Sequence, residues 1–159
     1  MQITILTVGK IKEKFYRDAI DEYSKRLSRY CKLKIVEVED EKIPDGASDV
    51  VCNQIMAKEA EKLRKYISDD AYVVALAIEG KKYDSVGFSK KIDNLGIQGK
   101  SHIVFIIGGS LGIADELKNR ADELISFSDM TFPHQLMRVI LTEQIYRAYR
   151  IINNEPYHK

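Results

Sequence analysis

Two stretches in the second half of the chain hold residue types suited to chemistry. Residues 108–112 read GGSLG, after an apolar run and before a helical pattern. Glycines let a backbone approach a ligand closely and adopt positive φ, and a helix start offers free N–H groups to polar or anionic atoms. The glycines alone fit a plain strand-to-helix turn equally well. No Lys-Ser/Thr pair follows, so the turn is not a P-loop, and the G-x-G-x-x-G dinucleotide fingerprint is absent. The segment SFSDMTFPHQ sets Phe127, Met130 and Phe132 among Ser128, Asp129 and Thr131. Large apolar groups in a connecting loop either pin it into the core or enclose a ligand. In the second case main-chain groups would bond the edge of a planar heterocycle such as adenine while the side chains pack its faces.

Other candidate groups lie around the last helical pattern. His134 falls in its first turn, where a neutral imidazole is favoured. Arg138, Arg147 and Arg150 are available for phosphate or carboxylate, and Arg147 could instead pair with Glu143 four residues earlier. The tail NNEPYHK ends in Tyr157, His158 and Lys159; by composition it is either frayed or functional. No Ser-His-Asp, Cys-His or paired-carboxylate arrangement emerges from the spacing. Cys31 and Cys52 form no close pair with each other or with histidine, so neither a disulfide nor a metal site is expected.

The elements that must position these groups alternate. Residues 2–8, 33–38, 71–78, 103–107 and 123–127 are apolar or β-branched runs with the look of buried strands. Between them, residues 13–30 place Phe15, Ala19, Ile20, Tyr23, Leu27 and Tyr30 at helical spacing. A second helix, capped by Ser48, buries Val51, Ile55, Ala60, Leu63 and Ile67, and a third starts at Asp84 or Ser85 with Phe88, Ile92 and Leu95 inward. A short helix is expected over 113–120, and a last one from Pro133 to about Ile152. Strands alternating with helices predict an α/β fold, a parallel sheet with helices on both faces. Neither repeat nor linker is visible, so residues 1–159 read as one domain. In such sheets ligands bind beyond the carboxyl ends of the strands, where residues 76–81, 108–112 and 127–133 fall.

Composition narrows the classes. About 45% of residues are hydrophobic and 31% charged, a globular profile without the long apolar run a membrane span requires. The N-terminus lacks the apolar core and cleavage site of a secretory signal, so a cytoplasmic location without membrane attachment is expected. A net charge of +1 gives no case for nucleic acid by itself. Lys25, Arg29 and Lys32 fall on one face of the first helical pattern, and Lys58, Lys62 and Lys65 nearly do so in the second, as solvated faces usually do. The last helix has two apolar faces, Leu136 and Ile140 on one and Met137, Leu141, Ile145 and Ile152 on the other. A terminal helix of this kind packs against a second subunit.

Taken together, VFIIGGSLGI and SFSDMTFPHQLMRVILTEQIYRAYRIINNEPYHK resemble the ribosomal large subunit methyltransferase H family of the SPOUT superfamily. The likeness covers the whole chain and is most specific from residue 71 to 159. The combination of GGSLG, TFPHQL, E-Q-x-Y-R-A and the terminal P-Y-H carries it. It implies a SPOUT fold with a C-terminal trefoil knot over residues 71–159, where ordinary topology rules would predict an unknotted sheet. It also implies S-adenosylmethionine held by Leu76, Gly108 and residues 127–132, namely Phe127, Ser128, Asp129, Met130, Thr131 and Phe132. The implied reaction is methylation of N3 of a pseudouridine in bacterial 23S rRNA, on assembled ribosomes.

The same resemblance makes Tyr157, His158 and Lys159 the catalytic triplet, reaching the partner's site in a homodimer built on the C-terminal helix. Members often end in Arg where this chain has Lys159, which cannot grip phosphate bidentately. His158 is expected to assist loss of the N3 proton, Tyr157 to stack on or orient the base, and Arg138 and His134 to contact substrate. Rival readings are a ribose 2′-O-methyltransferase acting on tRNA, a non-catalytic ribosome-assembly factor and a flavodoxin-like binder. The first lacks its Asn-x-x-x-x-x-Arg motif here, and the intact 127–132 loop and tail oppose the second.

Overall fold

The computed structural model describes residues 1–159. In chain order the elements are β1 Gln2–Val8, α1 Lys14–Leu27, β2 Lys32–Val38, α2 Asp49–Arg64, β3 Tyr72–Lys82, α3 Ser85–Ile97, β4 His102–Ile107, α4 Asp115–Arg120, β5 Glu123–Ser126 and α5 His134–Ile152. The strands form one five-stranded sheet, ordered β2-β1-β4-β3-β5, with every pairing parallel. This is the expected α/β architecture.

Strand periodicity divides the core between the two faces of the sheet. Ile3, Ile5, Val74, Ile103 and Phe105 point to one side, where they meet Leu27 of α1, Phe88, Ile92 and Leu95 of α3, and Leu141, Ile145 and Tyr149 of α5. Leu6, Val8, Val73, Ala75, Val104 and Ile106 point to the other, against Ala60 and Leu63 of α2 and Leu117 of α4. Helix α5 packs against both α1 and α3. Two helix starts behave as their caps require: Ser48 Oγ accepts from Val51 N–H at 3.3 Å, and Asp84 Oδ1 accepts from Gly87 N–H at 2.6 Å.

Three expectations need correction. Phe15 is 65% exposed and rests on Tyr16, with ring centroids 4.4 Å apart. At 3.6 residues per turn it lies about 140° around the helix from Ile20, out of phase with the buried stripe. The basic face of Lys25, Arg29 and Lys32 does not exist, because α1 ends at Leu27 and Lys32 begins β2. The strand expected over 71–78 runs instead to Lys82, and it is interrupted. Leu76 and Lys81 both register with Ile125 of β5, so residues 77–80 leave the ladder between them. Gly80 makes that detour feasible, since a Cβ there would sit 2.6 Å from the backbone of Ile125.

Candidate functional site

The break in β3 opens a cavity of about 370 Å³ at the carboxyl ends of β3, β4 and β5. Ala77, Ile78 and Glu79, freed from the ladder, form one wall. The turn at 108–112 forms a second and the loop after β5 a third. Each wall has a local cause. Gly108 lies so close to the return of its own turn that a Cβ would meet Gly112 C and O at 2.6 Å. The turn closes through Gly112 N–H donating to Gly109 O at 3.0 Å, with Gly112 at φ +92°. In the third wall, Ser126 Oγ donates to Ser128 O at 3.1 Å and Met130 N–H donates to Ser128 Oγ at 3.0 Å. Phe127 anchors this loop by an edge contact with Phe88, centroids 6.1 Å apart.

Leu76, Gly108, Phe127, Ser128, Met130, Thr131, Phe132 and His134 all line this cavity. Asp129 does not; it is exposed and pairs with Lys82 at 2.6 Å. The lining is largely apolar, and a charged pair stands at it, Lys118 Nζ donating to Glu79 Oε1 at 2.7 Å. That contact holds the Glu79 carboxyl below its ordinary pKa. An apolar slot with converging backbone groups and a volume within roughly 300–1,000 Å³ suits a small molecule with a flat heterocycle, so the residues present fit an adenosyl group. Sequence reasoning placed residues 76–81 at a ligand-binding strand end, where Ala77, Ile78 and Glu79 fall, but did not single out Lys118; the one local sign of the detour was Gly80.

His134 is half-buried at the start of α5, and burial, then the charge of Arg138, lowers its pKa, with Asp40 acting the other way. A folded-state pKa below the unfolded value of about 6.5 contributes stability that is present above that pH and lost as pH falls. We therefore expect the difference in unfolding free energy between the protein and its His134→Gln variant to shrink from pH 7.5 to pH 5. Denaturant titrations of both across that range check this, and parallel curves would refute it.

Arg138 departs from the expectation that it contacts substrate. It is 1% exposed, with Nη1 donating to Glu37 Oε2 at 2.7 Å and Nη2 to Val8 O at 2.8 Å. Its guanidinium is enclosed inside the protein, where Nη1 and Nη2 join α5 to the ends of β1 and β2, and burial keeps it from an RNA phosphate.

The tail is ordered by specific partners. Glu155 accepts from Tyr30 Oη at 2.9 and 3.0 Å and from Arg150, whose Nη2 also donates to Pro156 O at 2.9 Å. Tyr157 packs edge-on against Tyr146, centroids 4.9 Å apart, and its hydroxyl donates to Glu143 Oε1 at 3.0 Å. Burial, followed by that contact, raises the Tyr157 pKa well above its ordinary value. The expected pair of Glu143 and Arg147 is present, at 2.6 and 3.0 Å. Arg147 Nη1 also lies 3.2 Å from His158 Nδ1. His158 borders a second cavity, of about 430 Å³, whose walls include Tyr83, Ser85, Gln144 and Ile140. Phe127 and Phe132 line both cavities, so within one chain the tail comes within reach of its own 127–132 loop, whereas the resemblance implied the partner's site. Lys159 is exposed.

Comparison with known proteins bears on this arrangement. A family model described as "Predicted SPOUT methyltransferase" matches residues 1–158. The chain is 65% identical, over the full length of both, to the ribosomal RNA large subunit methyltransferase H of Bifidobacterium adolescentis. It is 58% identical, again over both full lengths, to the protein of that name in Clostridium kluyveri. Among solved structures, one described as "a probable methylase family protein" from Haemophilus influenzae Rd KW20 superposes with a TM-score of 0.55 at 12% identity. The match covers 99% of this chain and 70% of that one, a likeness of fold alone.

Proposed function

The chain belongs to the ribosomal RNA large subunit methyltransferase H family of SPOUT methyltransferases, and from that premise we propose that it methylates N3 of a pseudouridine in 23S rRNA. The observation that carries this reading is one loop, 127–132, lining two cavities, with the terminal His158 at the second. One cavity suits the cofactor, and the other stands beside it where a base would enter.

We assign S-adenosylmethionine to the first cavity, held by Leu76, Gly108 and the loop residues Phe127, Ser128, Met130, Thr131 and Phe132, with Asp129 serving the loop through Lys82. When bound, it would supply an electrophilic methyl group on a sulfonium, whose sulfur would keep the bonding pair. The protein's part is to align the reacting atoms and exclude water. Phe127 and Phe132 border both cavities, so the reacting atoms would meet in direct contact at the edge the two cavities share; Tyr157 orients the tail, and His158 assists as N3 gives up its proton to solvent. His134 faces the cofactor cavity as a neutral ring, and exposed Lys159 meets a phosphate of the RNA.

Two supports point to a homodimer. Leu136, Val139 and Ile140 on the outer side of α5 are only partly buried, a face suited to a second copy; Ile140 also borders the second cavity, so that copy would complete the wall of the base site. The tail, the proposed substrate-handling element, belongs to the same end of the molecule. The trefoil knot over 71–159 remains part of this reading. It is supported by the path of α5, which follows edge strand β5 yet packs back between α1 and α3. We read residues 1–159 as one such domain, working in the cytoplasm. No helix is long and apolar enough to cross a membrane.

Because net charge is only +1, few phosphates are neutralised on balance, and affinity for free RNA should be weak with a shallow salt dependence. Assembled ribosomal subunits then complete the binding surface. The test is methyl transfer from labelled S-adenosylmethionine to ribosomal subunits lacking the modification, with the product nucleoside identified by mass spectrometry. We expect N3-methylpseudouridine at one position, formed faster on subunits than on deproteinised rRNA. Label on a ribose or on another base would overturn the assignment, and equal rates on naked rRNA would remove the ribosome requirement.

A further inference from the structure

We propose that Glu143 and Arg147 are positioning residues that fix His158 in the Nε2–H tautomer, so that it meets the target base as a hydrogen-bond donor rather than as a proton acceptor. The proposal rests on the assignment of His158 to the methyl-transfer site. It specifies how this histidine assists loss of the N3 proton.

The argument begins with the guanidinium. Arginine has only donors and stays charged in proteins. The ring nitrogen 3.2 Å from Arg147 Nη1 is His158 Nδ1, and it must therefore accept. A neutral imidazole with Nδ1 accepting carries its proton on Nε2. Arg147 is not part of the second cavity's wall, whereas His158 is. The ring edge that remains for the cavity is thus the one bearing Nε2–H.

Arg147 is itself held. Its Nε and Nη2 donate to Glu143 Oε1 at 3.0 and 2.6 Å, and the Tyr157 hydroxyl donates to the same oxygen at 3.0 Å. The other carboxylate oxygen accepts from Gln144 Nε2 at 3.1 Å. The guanidinium also lies over the Tyr157 ring, 4.8 Å from its centroid. One carboxylate therefore sets the arginine and the tyrosine together, and Nη1 is left pointing at the histidine. The other charged or titratable groups facing this cavity are Asp84, whose Oδ1 is occupied as the cap of α3, and Tyr83, which donates to Glu123.

The chemistry suits a donor. N3 of a uracil-type ring is flanked by two carbonyls, and as the N3 proton leaves to water, negative charge spreads onto their oxygens. An N–H fixed toward one of them stabilises the charge as it develops, the role that oxyanion donors play elsewhere. A base at the same place would need an unprotonated Nε2, which the arginine contact opposes by holding Nδ1 as the acceptor.

Two experiments on the full chain test this separately from the function itself. In ¹⁵N imidazole spectra of the free protein, His158 should show a protonated Nε2 and an unprotonated Nδ1. Arg147→Gln should turn that signal into a tautomer mixture. In the ribosomal-subunit assay, His158→Gln, whose carboxamide N–H can stand near the Nε2–H position, should keep turnover within roughly tenfold of the unmodified protein. His158→Ala should lose about 100-fold, the scale of a removed oxyanion donor. Glu143→Gln should lower kcat while leaving KM for subunits and Kd for S-adenosylmethionine unchanged.

A wild-type spectrum with the proton on Nδ1 would overturn the proposal. So would a Gln variant as inactive as Ala, alongside an acid limb in the wild-type pH profile that vanishes in both. An unmodified protein that methylates no subunit would refute the function and leave the tautomer to the spectra.

Discussion

Gly108→Ala is expected to abolish cofactor binding while the rest of the sheet folds. The added methyl would sit 2.6 Å from Gly112 C and O and 2.8 Å from Ile113 Cγ1. Two of those three atoms are backbone, and the turn that holds them is closed by the hydrogen bond from Gly112 to Gly109. The Ile113 side chain can yield but the Gly112 backbone cannot, so the turn itself must open, and it is a wall of the 370 Å³ cavity. Forcing a methyl group into a packed position costs about 1–3 kcal/mol, and here the strain falls on the ligand's contact surface. We expect Kd for S-adenosylmethionine to rise at least ~100-fold, equivalent to about 2.7 kcal/mol. Calorimetric titration reads this directly, and circular dichroism shows whether the fold survives. Met130→Ala is the contrast: it is 74% exposed at the same cavity, and should weaken binding only a few-fold. A Gly108→Ala protein that binds as the parent does would show that the turn is not part of the cofactor site.

How legible these features are in the sequence depends on how local their causes are. Ser48 and Asp84 cap helices through contacts three residues away, and a reader of the chain can find both. The split of β1 and β4 between two faces follows from alternation within each strand. The break in β3 is different in kind. The run AYVVALAI looks like an uninterrupted strand, and the interruption arises because Leu76 and Lys81 both meet Ile125 on β5. Only Gly80 hints at it, and a glycine near a strand end has many uses.

The tail shows the same limit. Its polar composition fits fraying, yet its order comes from Tyr30, distant by 125 residues from Glu155, and from Glu143 on α5. Family resemblance marked Tyr157 and His158, but it could not show which nitrogen of His158 faces the arginine. Of the residues expected to bind cofactor, those in the turn and in the loop after β5 meet at one cavity. Asp129 stands apart because an exposed carboxylate finds Lys82 more readily than an apolar slot.

Arg138 is the clearest instance of a role set by distant partners, and its removal should have the largest effect on stability. An arginine on a helix reads as a group available to phosphate or carboxylate. Here Glu37, 101 residues away in sequence, and the carbonyl of Val8 draw it fully inside. Arg138→Ala would leave the Val8 carbonyl without its donor and Glu37 with only the Ile11 N–H at 3.0 Å. It would also empty the space of a side chain that is 1% exposed. Glu37 is 35% exposed, so its charge stays solvated and contributes little; the unsatisfied Val8 carbonyl and the emptied volume together cost about 2–5 kcal/mol, a large share of a typical domain's total stability.

The sign of the charge effect can be separated from the cavity effect. In a Glu37→Gln/Arg138→Met protein both charges are gone and most of the volume is kept, so it should be more stable than Arg138→Ala alone. Denaturant midpoints at one fixed protein concentration measure both. The same substitutions reach the functional site through His134. Removing the Arg138 charge takes away a cause that lowers the His134 pKa, so the histidine should titrate at higher pH in either variant. A ring-proton titration followed by NMR reads that shift. If Arg138→Ala lost under 1 kcal/mol and left the His134 titration in place, the buried arginine would be neither the tie between α5 and the strand ends nor the charge that keeps His134 neutral.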